Sequence, residues 1–126
     1  MEFRRVHKDE RGEIYVIEGV LPGDREITLL TTKQGHARGG CVHRYNDELF
    51  MVFSGRVSYK ISNEDNRIVE AGEIIEIPAG RPHYFKALIE TVAVEWGATS
   101  QEKKEYDPPF RRLVDEINRK VNTDAL

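Results

Sequence analysis

Short apolar runs, broken every few residues by Gly, Pro, Asn or Asp, set the pattern of this chain. They predict strands at Ile14–Ile17, Ile27–Thr31, Gly40–His43, Leu49–Phe53, Val57–Ser62, Arg67–Glu70, Ile74–Ile77, Tyr84–Ala87 and Thr91–Trp96. Many short strands at this spacing, with no internal repeat or linker, indicate an all-β barrel or sandwich. Val57, Tyr59 and Ile61 alternate with Arg56, Ser58, Lys60 and Ser62, as in a strand with one wet face. Leu49-Phe-Met-Val-Phe53 does not alternate, so both of its faces should be covered, one by the barrel interior and the other by a second layer or a partner subunit. A homodimer through a sheet face is therefore expected.

The period changes near the C-terminus. Asp107-Pro-Pro offers an N-cap followed by proline at the first helical position. Phe110, Leu113, Val114, Ile117 and Val121 then follow a 3.6-residue stripe, with Arg111, Asp115, Asn118 and Arg119 off it. This predicts one amphipathic helix over about 107–121, laid on the outside of a barrel spanning about 12–97, with residues 1–126 forming one domain.

Charge narrows the partners. Nineteen basic and 22 acidic residues, interspersed, give a net charge of −3. There is no basic stripe for nucleic acid and no basic amphipathic helix for a lipid surface. No apolar run reaches the length of a membrane span. The first residues lack the apolar stretch of a secretory signal, which places the chain in the cytoplasm as an expectation. The single cysteine, Cys41, is a free thiol or a ligand.

Candidate chemistry gathers in the middle of the chain. Cys41 and His43 are two apart in a strand and share a face. Tyr45-Asn-Asp reverses the chain, and Glu48 shares a face with Phe50 and Val52 on the next strand. Past the turn at Pro78-Ala-Gly-Arg-Pro82, His83 shares a face with Phe85 and Ala87. Thiolate, imidazole and carboxylate are ligands that borderline-soft transition metals accept. His36 lies outside the Cys41/His43 parity and reads as a surface residue, and His7 has no evident partner.

The spacing resembles both signatures of the cupin superfamily. Gly35, Cys41, His43, Glu48 and Gly55 fill Gly-x5-His-x-His-x(3–4)-Glu-x6-Gly at every position but the first His. Gly72, Pro78, Gly80 and His83 fill Gly-x5-Pro-x-Gly-x2-His-x3-Asn, with Ala87 in place of the Asn. The resemblance implies a double-stranded β-helix (jelly-roll) barrel with one added C-terminal α-helix. It also puts Cys41, His43, Glu48 and His83 where cupins hold a divalent metal. A thiolate at Cys41 favours zinc, iron or nickel, with manganese the harder alternative. Without Cys41, His43, Glu48 and His83 make a two-His-one-carboxylate set, and an empty barrel with Cys41 as a small filler is the remaining alternative.

Asp9-Glu-Arg-Gly-Glu-Ile-Tyr-Val-Ile-Glu18, Arg38-Gly-Gly-Cys-Val-His-Arg44 and Glu105-Tyr-Asp-Pro-Pro109 look like stretches of cupins acting on nucleotide-linked sugars. That group includes 3,5-epimerases, 3,4-ketoisomerases and capsule-assembly cupins. The likeness implies His43 as catalytic base and Arg38 as the substrate-binding residue at a diphosphate. The expected function is a metal-binding isomerase or epimerase acting on a carbohydrate or other small polar carbonyl compound. An iron-dependent dioxygenase and a non-enzymatic ligand-binding cupin are the alternatives.

Overall fold

The computed structural model describes residues 2–99 and 105–124. Six strands form the first sheet: β1 (Glu2–Asp9), β2 (Gly12–Glu18), β3 (Arg25–Thr32), β10 (Thr91–Thr99), β5 (Glu48–Ser54) and β8 (Ile74–Ile77), in that spatial order. The second sheet runs β11 (Glu105–Tyr106), β4 (Ala37–Val42), β9 (His83–Ala87), β6 (Arg56–Ile61) and β7 (Arg67–Glu70). Every pairing among these strands is antiparallel, and the two sheets close as a jelly roll.

Alternation decides what lies between the sheets. Phe50 and Val52 from β5 meet Val57, Tyr59 and Ile61 from β6, Val69 from β7 and Phe85 from β9, all at most 2% exposed. The ring of Phe50 sits 4.8 Å from that of Tyr59 and 5.0 Å from that of Phe85, in edge-on and tilted contacts. Burying one such ring contributes roughly 1.5–3 kcal/mol. Together they fill one end of the barrel and leave the other for polar groups.

The helix α1 (Pro108–Asp124) starts where the sequence predicts and runs slightly longer. Asp107 caps it, its Oδ2 accepting the N–H of Phe110 at 3.1 Å. The buried face differs from the apolar stripe. Leu113 is 43% exposed, whereas Val114 and Asn118 are buried. Asn118 lies against β4, where its Oδ1 accepts the N–H of Ala37 at 2.8 Å and its Nδ2 donates to the carbonyl of Ala37 at 3.0 Å. Its Oδ1 also lies 3.2 Å from His36 Nδ1. His36 is thus a buried residue under the helix, not a surface one.

The expectation that both faces of Leu49–Phe53 are covered fails within one chain. Among the described residues, the helix packs on β4 and β9 of the second sheet and leaves the outer face of the first sheet open. Leu49 and Met51 are half-buried and Phe53 is exposed. The register lines up Ile17, Ile27, Trp96 and Leu49 in one row across this face, and Tyr15, Leu29, Val94, Met51 and Ile74 in the next. Among the described residues, no helix is long and apolar enough to cross a membrane.

Candidate metal centre

Three strands carry the polar cluster at one end of the barrel. Cys41 comes from β4, Glu48 opens β5, His83 opens β9, and His43 follows β4 directly. The Cys41, His43 and His83 donor atoms all lie within 4.8 Å of one another. Cys41 Sγ is 3.7 Å from His83 Nε2, and the two imidazoles stack at 5.5 Å. Glu48 joins through the imidazoles: its Oε2 is 2.9 Å from His43 Nε2, and its Oε1 is 3.6 Å from His83 Nε2. Thus all four residues singled out in the sequence meet, with Glu48 outside the tightest triangle.

A bulge brings Arg38 to the same cavity. Arg38 and Cys41 are three apart, so an unbroken strand would turn them to opposite faces. The β4–β9 register slips between Gly39 and Cys41, and both side chains line one cavity. Gly39 and Gly40 have φ of 111° and 80°, a region that favours glycine. A Cβ on Gly40 would come within 2.7 Å of the Arg111 backbone, so the strand also needs glycine for the helix to sit this close.

Burial sets the electrostatics. It alone raises the Glu48 carboxyl, but the imidazoles of His43 and His83 outweigh it and hold the acid well below the usual carboxylate range. Burial likewise lowers the His83 imidazole, yet the Cys41 sulfur and Glu48 pull it upward overall. His83 Nδ1 donates to the carbonyl of Arg81 at 3.0 Å, which turns Nε2 inward as the available nitrogen.

The cluster opens on a cavity of about 300 Å³. Arg38, only 4% exposed, reaches it from β4: its Nε donates to Thr32 Oγ1 and its Nη2 to the Thr31 carbonyl, both at 2.9 Å. Sequence reasoning missed three charged lining residues, Arg11, Glu95 and Arg111. Arg11 and Arg111 come from a turn and from the helix, where no strand parity applies. Glu95 does have a signal, since it shares the inward parity of Ala93 on β10. His7 also lines the cavity, with Nε2 2.8 Å from Asp9 Oδ2.

The model of the cupin domain matches residues 28–97, more than half of the chain and all four cluster residues. The chain belongs to the cupin family. No curated protein matches this cupin. Several solved structures share its fold at low identity. The capsular polysaccharide assembling protein CapF from Staphylococcus aureus is 22% identical with a TM-score of 0.65, covering 84% of this chain and 32% of its own. Vicilin from Solanum lycopersicum (tomato) is 19% identical, TM-score 0.69, covering 82% and 32%. An oxalate decarboxylase from Lactobacillus farciminis, in a formate complex, is 17% identical, TM-score 0.69, covering 82% and 33%. This cupin therefore spans about a third of the length of each.

Two observations test whether a metal fits this cupin. Thiolate, imidazole and carboxylate together are a zinc- or iron-type donor set. Glu48 Oε1 is also buried without a hydrogen-bond partner, a costly state that a cation beside it would relieve. The residues present fit a divalent transition metal.

Proposed function

We propose that this cupin is a metal-dependent enzyme of the isomerase or epimerase type, acting on a carbohydrate or similar small polar carbonyl compound. The observation that carries the reading is the buried Cys41–His43–His83 triangle beside the unsatisfied Glu48 Oε1, open to a cavity. Cys41, His43, Glu48 and His83 would hold the ion. A divalent ion held there would polarise a carbonyl oxygen and ease removal of the neighbouring proton. His43 cannot serve as ligand and base through one nitrogen at the same time. With its Nε2 engaged, Glu95 on the cavity wall takes the proton-moving part, and Arg38 orients the substrate. The likeness in fold to CapF, a capsular polysaccharide assembling protein, supports a carbohydrate substrate.

The partner in this reading is a second copy of the chain, seated on the two apolar rows of the first sheet. The half-buried Leu49, Met51 and Val94 and the exposed Phe53 support it.

The test is proton exchange. Metal-loaded protein is incubated in deuterated water with a panel of aldoses, ketoses and their acids, and deuterium beside the carbonyl is followed by NMR. Exchange that is lost in Glu95→Gln supports the reading. No exchange, with iron-dependent oxygen uptake, would instead favour the dioxygenase reading on His43, Glu48 and His83.

A further inference from the structure

Two cavities meet at the metal-binding cluster. The first, of about 300 Å³, is walled by Arg11, Arg38 and Arg111, with His7 and Tyr106. The second, of about 250 Å³, is walled by Glu26, Thr28, Trp96 and Thr99. Both include Ile14, Leu30, His43, Glu48 and Glu95, so they form one cleft with the cluster at its waist. One end is basic; the other offers hydroxyls and a carboxylate.

The cations of the basic end are not equivalent. Arg11 is neutralised by Asp9, with Nη2 to Oδ2 at 2.7 Å and Nε to Oδ2 at 3.0 Å. Arg111 donates to the carbonyl of Gly39 at 3.0 Å and lies 3.5 Å from Asp115. Arg38 has no carboxylate within 4 Å among the described residues, and its Nη1 is buried with no hydrogen-bond partner. A buried guanidinium with no acid in contact, only the more distant fields of Asp9 and Glu95, is a costly arrangement that a bound anion would relieve.

We infer that the basic end is a carboxylate subsite: the substrate is a monosaccharide-sized, hydroxylated monoacid with its carboxylate on Arg38 and its hydroxyls along Thr28 and Thr99. The inference rests on the catalytic reading above and narrows its substrate class. One unpaired cation matches one negative charge. A diphosphate brings more charge than this wall can match. The two parts of the cleft, about 300 and 250 Å³, lie together within the usual range for small-molecule sites, and a sugar acid spanning both fits them.

The experiment uses the full chain, stripped of metal by chelator and separately loaded with zinc, so that the carboxylate subsite is tested apart from the metal reading. D-glucuronate, its methyl ester and glucose 1-phosphate are titrated by calorimetry. The expected result is that D-glucuronate binds both forms at least tenfold more tightly than the ester or the phosphate. Arg38→Met should abolish the preference for acid over ester, and Arg38→Lys should keep part of it. If Arg38→Met does not fold, the acid-to-ester comparison on the wild type and on Thr99→Val decides. Thr99→Val should weaken acid and ester alike. Equal binding of acid and ester, tighter binding of the phosphate, no binding of glucuronate, or a preference that survives in folded Arg38→Met would each overturn the subsite.

Discussion

Replacing Asn118 with alanine removes the polar clamp between the helix and the strand that carries Arg38 and Cys41. Three contacts go at once: the N–H and carbonyl of Ala37 lose their partners, and His36 Nδ1 loses an acceptor. Ala37 is fully buried, so water cannot replace the amide without entering the interface. An unsatisfied buried polar group costs about 1–3 kcal/mol. Two backbone orphans, partly relieved by relaxation, bring the expected loss to about 2–4 kcal/mol. That is a large share of the roughly 5–15 kcal/mol by which domains are stable. Urea unfolding followed by circular dichroism reads it as a lower midpoint at unchanged slope. Asn122→Ala is the control, because the Asn122 amide bonds Glu10 at the surface; it should stay within about 0.5 kcal/mol of wild type. A loss below about 1 kcal/mol for Asn118→Ala would show that the helix docks through Val114 and its neighbours, and that the clamp is incidental.

Other outcomes follow from the same structure. Gly40→Ala forces a Cβ to 2.7 Å from the Arg111 backbone at a φ of 80°, so it should cost about 2 kcal/mol or more and lower the thermal midpoint. Asp9 is held below its ordinary carboxylate range because its hydrogen bonds from Arg11 and His7 outweigh the upward push of burial. Its stabilisation is therefore present above the unfolded value of about 4 and lost as pH falls through the lower folded value. Asp9→Asn should flatten the acid side of a plot of thermal midpoint against pH, and an unchanged profile would contradict this. Met51→Lys puts a charge in the middle of the apolar rows on the first sheet. Light scattering should then give a monomer of 14.5 kDa where the wild type gives a dimer, and a wild-type monomer would remove the dimer altogether.

Why some of this was legible and some was not has physical causes. Strands β2 to β10 followed from short apolar runs between turn residues, although β4 runs Ala37–Val42 rather than the expected Gly40–His43 because its paired glycines and Arg38 carry no apolar signal. The first strand, Glu2–Asp9, gave no such signal: it is an edge strand exposed along nearly its whole length, held by backbone pairing and ion pairs such as Arg4–Glu18. The cluster of Cys41, His43, Glu48 and His83 was readable because parity and two turns bring the four residues together. Arg38 joins them only through the bulge at Gly39–Gly40, for which the paired glycines were the one available clue. Helix periodicity located α1 but favoured Leu113 over Asn118, since hydrophobicity does not reveal that Ala37 needs a partner for both of its backbone groups.

Metal content per chain tests the central claim most directly. Protein purified without chelator or added metal is analysed by elemental mass spectrometry, alongside Glu48→Gln and Cys41→Ser variants whose fold is checked by circular dichroism. The structure predicts about one divalent transition metal ion per wild-type chain, sharply reduced in both variants. A wild type that carries no metal, and still binds none after incubation with zinc or ferrous iron, would contradict the account.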